Sequence, residues 1–229
     1  IPVGHVEAGL RTYNIYSPYP EEFNRQAVGI IAKYNFAPTE TAKENLIKEG
    51  KDESSIFVTG NTAIDSLKTT VRDNYSHPEL DWADGSRFIV ITAHRRENLG
   101  EPMHNMFRAI RRIIEEHEDV KAVYPIHMNP VVRSAAEEIL SGCDRIHLIE
   151  PLDVLDFHNF LSRSYMIITD SGGIQEEAPA LGKPVLVMRD TTERPEGIKA
   201  GTLKLVGTNE DVIYDAFKTL LTDSSVYDK

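Results

Sequence analysis

The chain reads as an α/β protein with a doubly wound parallel sheet, on three observations. From residue 87 onward, short apolar segments alternate with longer amphipathic ones. The short segments are apolar at successive positions rather than at every second one, as strands of a sheet covered by helices on both faces are. The longer segments repeat their apolar residues at helical spacing, and strand–helix–strand alternation is the signature of parallel strands joined by crossovers.

The elements follow in order. "RFIVITAH" (87–94) predicts a strand, and "EPMHNMFRAIRRIIEEH" (101–117) an amphipathic helix with Met103, Met106, Ile110, Ile113 and Ile114 on one side. Strand 120–126, helix 130–141, strand 145–149, helix 153–163, strand 165–169, helix 174–181 and strand 184–188 come next. After a loop, strand 202–206 and helix 209–221 close the pattern. Residues 1–60 are less regular. A short strand (1–5) leads into a polar loop and a helix opening at "PYPEEFNRQAVGIIA", with Pro20 near its first turn. "NFAPTETAKENLIKEG" reads as strand, cap and helix closed by Gly50, and "IFVTG" (56–60) as another strand. We expect residues 1–60 to be the trailing part of one α/β domain and 61–229 a second, complete one, joined near Gly60–Asn61 through a helix over 62–75. The chain has no initiator Met and starts at once on strand-like residues, so it reads as a fragment.

With 229 residues, 41% hydrophobic and 27% charged, the composition is that of a globular protein. A net charge of −11 argues against a general nucleic-acid or anionic-membrane binder, which needs a clustered basic face. Cys143 is the only cysteine, so no internal disulfide is available and a reducing cytoplasm is the natural setting. No apolar run approaches the roughly 18 residues of a membrane span, and no signal-peptide pattern is read.

Ligands of open parallel sheets bind at the carboxyl ends of strands. Three motifs fall there: "AHRREN" (93–98), "PIHMNP" (125–130) and "TDSGGIQEE" (169–177). Ser171, Gly172 and Gly173 precede a helix, an arrangement suited to phosphate, although plain strand–helix punctuation explains a bare SGG equally. The motif is neither a GxGxxG fingerprint nor a P-loop. Behind it stand Glu176 and Glu177. A carboxylate would repel phosphate yet accept hydrogen bonds from ribose hydroxyls; the plainer reading is that both acids favour the helix dipole, and spacing does not choose between them. His94, Arg95, Arg96 and Glu97 form either a salt-bridged loop or part of a site. His94 and His127 lack metal-ligand spacing, so no metal is expected. Arg194 is placed to clamp a phosphate or to be solvated. Phe157 fits either the core or a base stack. Glu7, Glu21 and Glu22 suit general acid–base work, with first-turn helix stabilisation the alternative for the last two.

"GHVEAGLRT" (4–12), "YSPYPEEFNR" (16–25), "TAHRREN" (92–98), "PIHMNP" and "TDSGGIQEEAPALGKPVLVMRDTTERPE" (169–196) together resemble the non-hydrolysing UDP-N-acetylglucosamine 2-epimerases, along nearly the whole chain. The resemblance implies two Rossmann-like domains of GT-B type, with the nucleotide sugar between them, and interconversion of UDP-GlcNAc and UDP-ManNAc by elimination and re-addition of UDP, with no NAD or other cofactor. It implies that Ser171, Gly172 and Gly173 hold the diphosphate, that Glu177 binds ribose, that Arg194 and His94 line the UDP site, that Phe157 packs on uracil, and that Leu152 offers backbone contacts. Glu7 and Glu21, with His94, match the catalytic set; Arg95, Glu97 and His127 match a second, regulatory UDP-GlcNAc site. A homodimer in the cytoplasm serving cell-envelope polysaccharide synthesis is implied, as are further N-terminal strands with a catalytic Asp and a closing C-terminal segment outside residues 1–229. The rival readings are a hydrolysing epimerase, a GT-B glycosyltransferase and, for this chain alone, an inactive UDP-sugar-binding module.

Overall fold

The computed structural model describes residues 1–228 and has the α/β architecture that the alternation predicts. It divides into two compact units: Ile1–Asp65 together with Thr191–Arg194, and Ser66–Asp190 together with the chain from Pro195 onward.

In the first unit, β1 (Gly4–Val6), β2 (Tyr34–Ala37) and β3 (Ile56–Val58) form a parallel sheet in that order. The first strand thus starts three residues later than expected. The connections carry α1 (Glu21–Ile31) and α2 (Glu40–Lys48). Thr39 caps α2 by accepting from the Ala42 N–H at 3.1 Å, and Gly50, at φ +82°, follows its end as the sequence suggests. Ala8, Leu10, Ala37, Ala42, Leu46 and Ile56 make the core. Gly9 is obligatory: at φ +87°, a Cβ would stand 2.1 Å from the Ala42 carbonyl oxygen. Helix α1 puts Glu22 to a use beyond the two that the sequence offers, acid–base work and first-turn stabilisation. That carboxylate is fully buried and accepts from the Thr12 and Tyr13 N–H groups, each at 3.0 Å, and from Gln26 Nε2 at 2.8 Å. It pins the loop before its helix.

The division between units falls within α3 (Thr62–Thr70), which is followed by α4 (Pro78–Trp82). The strands of the second unit are β4 (Arg87–Thr92), β5 (Val120–Pro125), β6 (Ile146–Ile149), β7 (Met166–Thr169), β8 (Val185–Val187) and β9 (Leu203–Leu205). Between and after them come α5 (Glu101–Glu116), α6 (Pro130–Leu140), α7 (Val154–Arg163), α8 (Ile174–Ala180), α9 (Pro195–Ala200), α10 (Glu210–Thr222) and α11 (Ser224–Tyr227). All six strands are parallel, in the order β6-β5-β4-β7-β8-β9. The chain winds outward from β4 to one edge, returns beside β4 at β7, and winds to the other edge. Successive residues of β4 feed opposite faces: Ile89 and Ile91 join one core, Phe88 and Val90 the other. The expected face of α5 is completely buried at Met103, Met106, Ile110, Ile113 and Ile114.

One helix is shorter than expected. The pattern over 62–75 predicts a continuous helix, but α3 stops at Thr70. The cause is Asn159, fully buried on α7: its Nδ2 donates to the Thr70 carbonyl at 2.8 Å and its Oδ1 accepts from the Arg72 N–H at 3.0 Å. Asn159→Ala is expected to cost about 2 kcal/mol by stranding both groups, measured as a shift in urea midpoint at unchanged slope. A second difference lies at 189–197, which reads as loop yet begins α9 at Pro195, the residue type that favours a first helical position.

Candidate functional site

In a doubly wound sheet the loops after the two central strands diverge, and the crevice between them is where ligands bind. Here those strands are β4 and β7, paired at Thr92↔Thr169, with their hydroxyl oxygens 2.6 Å apart. His94 follows the first and Ser171–Gly173 the second. A cleft of about 540 Å³ opens there, within the size range of small-molecule sites. His94, His127, Leu152, Phe157, Ser171, Gly173 and Glu177 all line it.

The turn is built to present backbone. Ser171 N–H donates to Thr169 Oγ1 at 2.9 Å, and Gln175 Nε2 donates to the Ser171 carbonyl at 3.0 Å. Gly173 has an ordinary helical backbone, φ −61°. A Cβ on it would meet only Glu177 Oε1, at 3.7 Å. Neither backbone conformation nor protein packing therefore requires glycine at this position, and the space it leaves belongs to the cleft. Gly172 is buried and lies outside the lining. Helix α8 spans only seven residues and contains Pro179, so the turn itself, more than a helix dipole, makes this surface. Of the two acids behind it, Glu177 lines the cleft and Glu176 does not.

One carboxylate, passed over in the sequence for the glycines beside it, holds the site together. Asp170 is fully buried. Its carboxylate accepts from the His94 N–H (3.0 Å), the Arg95 N–H (2.9 Å) and Asn98 Nδ2 (3.1 Å). Its carbonyl accepts from Arg95 Nε at 3.1 Å. The loop after β4 is thus fastened to the residue that starts the turn after β7. The sequence signal was present: a carboxylate at the end of an apolar strand must find donors. The His94 ring stacks on His127, centroids 5.4 Å apart at 21°. Arg95 Nη1 stands 3.9 Å from Glu97 Oε1, and neither residue lines the cleft, so among Arg95, Glu97 and His127 only His127 shares it with His94.

Within the first unit a separate polar cluster forms. Arg194 Nη2 donates to Glu7 Oε1 at 3.0 Å and its Nη1 to Glu193 Oε1 at 2.5 Å. Arg25 stands 3.8 Å from both Glu7 and Glu193. Arg194 and Glu193 are both buried, so the sequence's option of a solvated arginine is not realised. Arg25 and Glu193 were not singled out, because nothing local marks a partner 168 residues away. Glu7 itself sits at φ +63°, left-handed backbone that costs a non-glycine residue about 1–2 kcal/mol and that clusters at functional positions. Glu21 opens α1 as an exposed first-turn acid.

A parallel, doubly wound sheet with a ligand-sized cleft at its switch point defines a Rossmann-type α/β protein. A family model described as UDP-N-acetylglucosamine 2-epimerase matches residues 1–229, and the chain belongs to that family. It is 67% identical over 229 residues to the UDP-N-acetylglucosamine 2-epimerase of Bacillus subtilis, covering all of this chain and 60% of that protein. A Staphylococcus aureus MnaA co-structure with UDP superposes with a TM-score of 0.97 at 58% identity, covering 100% of this chain and 61% of that one. The Neisseria meningitidis UDP-GlcNAc 2-epimerase bound to UDP-GlcNAc superposes with a TM-score of 0.94 at 46% identity, covering 100% and 64%. This chain therefore spans about three-fifths of the length of such relatives. Among the described residues no helix is long and apolar enough to cross a membrane.

Proposed function

We propose that the whole protein is a UDP-N-acetylglucosamine 2-epimerase, interconverting UDP-GlcNAc and UDP-ManNAc. The observation that carries this reading is the cleft at the switch point, where a turn bearing a glycine that the protein does not itself need, the Glu177 carboxylate and the Phe157 ring converge. A diphosphate on the turn, a ribose on Glu177 and a base against Phe157 together have the extent of one nucleotide. For the chemistry, a carboxylate removes the proton from C2 of the sugar as the C1–O bond to UDP breaks, leaving a C1=C2 double bond. UDP then adds back at C1 while a proton reaches C2 from the other face. Two acid–base groups on opposite faces are needed, and Glu7 and Glu21 are the candidates. Arg194 holds Glu7 in one orientation at 3.0 Å. His94 serves the leaving diphosphate. Arg95, Glu97 and His127 form the regulatory UDP-GlcNAc site, and the working protein is a cytoplasmic homodimer of two-domain chains divided near residue 60.

The reading is tested by incubating the protein with UDP-GlcNAc in D₂O and following the sugar by proton NMR, with a full-length relative as control. UDP-ManNAc carrying deuterium at C2 is the expected product. Free UDP accumulating with ManNAc would instead identify a hydrolysing enzyme. UDP binding without turnover in this chain, beside turnover in the control, would restrict the chain to a binding module. Glu177→Gln is expected to weaken UDP binding about 10-fold by calorimetry, the loss of a charged acceptor for ribose.

A further inference from the structure

The cleft, which His158 of α7 also lines, opens at the carboxyl ends of the strands. Another cavity, of about 350 Å³, lies at the other end of the same sheet, where β8 and β9 begin beside the last turns of α10. Val185, Leu203, Ala216 and Leu220 give it a buried apolar floor, and Lys183 lines it, half-buried. The backbone fixes that lysine in place. Helix α8 closes on Gly182 at φ +68°, whose N–H donates to the Pro179 carbonyl at 2.9 Å. The Lys183 N–H donates to the Ala178 carbonyl at 3.0 Å. In a helix end of this kind the residue after the glycine packs back on the last turn, a place that favours apolar side chains.

A lysine there puts an amine where water is scarce. Burial lowers the pKa of Lys183 below the ordinary lysine value. Its Nζ has no hydrogen-bond or ion-pair partner among the described residues to retain the proton. Lys43 and Lys218 go the other way, raised by hydrogen bonds to Glu53 and Tyr214. Around the cavity, Lys204 is exposed, Asp228 forms no ion pair with Lys183, and Tyr227 directs its proton to the Tyr165 carbonyl at 2.7 Å. A free amine is a nucleophile and an ammonium is not. We propose that Lys183 is an acylation site, and that the cavity seats a small acyl phosphate with its acyl group on the apolar floor. The Nζ lone pair attacks the acyl carbon, and the C–O bond to phosphate breaks with its electrons leaving on the phosphate. The departing phosphate takes one amine proton, so an amide and inorganic phosphate result. The site is independent of the nucleotide reading.

Incubating the full chain with acetyl phosphate at neutral pH, and following each lysine by mass spectrometry of chymotryptic peptides, tests it. Lys183 is expected to be acetylated about 10-fold faster than the exposed Lys33, Lys48, Lys199 and Lys204. Its rate should level off at a lower pH than theirs, because its amine is fully free sooner. It should also saturate with acetyl phosphate, as a seated donor requires, while the others rise linearly. Thr219→Trp, which sets a ring in the cavity, should bring Lys183 down to the rate of the exposed lysines. Lys183 reacting no faster than those four in wild type overturns the site. Fast reaction in a folded Thr219→Trp variant overturns the cavity as the donor's seat. A linear rise at Lys183 does the same in wild type, whether or not the tryptophan variant folds by circular dichroism.

Discussion

Replacing Asp170 by alanine is expected to destabilise the second unit by about 3–5 kcal/mol and to abolish ligand binding in the cleft together with it. Three donors converge on this fully buried carboxylate: the His94 and Arg95 N–H groups and Asn98 Nδ2. Removing it strands the two backbone N–H groups and leaves Asn98 Nδ2 only its 3.3 Å contact to the Met188 carbonyl, and an unpaired buried donor costs about 1–3 kcal/mol. Asp170→Asn is a sharper probe. It keeps the volume but turns an NH₂ toward groups that are themselves donors, so one contact survives and the others are opposed. We expect it to retain a cooperative urea transition at reduced midpoint while UDP affinity falls at least 10-fold. Equal UDP affinity in the asparagine variant would mean that the loop after β4 holds its shape without the carboxylate.

Loss of Arg194 is the second large effect. Its guanidinium forks across Glu7 and Glu193, and without it the nearby Arg25 stands 3.8 Å from each. Breaking a buried ion pair by removing one partner leaves an uncompensated charge, and Arg194→Ala is expected to cost about 3 kcal/mol. If the proposed reaction is correct, turnover of the whole protein falls further, about 100-fold, because Glu7 loses the contact that sets its direction. Arg194→Lys should restore most of the stability and little of the turnover: an ammonium supplies the charge without the planar fork. Turnover rescued by lysine would show that charge alone matters here.

Much of the second unit was legible in the sequence, because its strands are covered on both faces. Ile89, Val90 and Ile91 are apolar in succession and all fully buried. The helix periods were equally clear wherever one face meets the sheet, as on α5. What escaped the sequence depends on partners far along the chain. The end of α3 is set by Asn159, 89 residues beyond Thr70, and the pairing of Glu7 with Arg194 spans 187 residues. For Glu22 the sequence offers acid–base work or first-turn stabilisation but not its grip on Thr12 and Tyr13, because helix statistics say nothing about a loop folding back onto it. The five-residue α4 was overlooked, although His77 followed by Pro78 is a start signal: the His77 side chain accepts from the Glu79 N–H. In the cleft, spacing brought the strand-end motifs together but left Glu176 and Glu177 equivalent; only the turn of α8 separates them.

The two-handed grip of Asn159 on the end of α3 also has a kinetic side. Thr70, which it holds by the carbonyl, touches His158 with its hydroxyl, and the Arg72 amide is locked by the same asparagine. Amide hydrogens exchange with solvent only when such contacts open. A ligand that steadies His158 therefore slows exchange at Arg72, a residue outside the cleft lining, so that a backbone proton at the end of a helix reports whether the cleft is full.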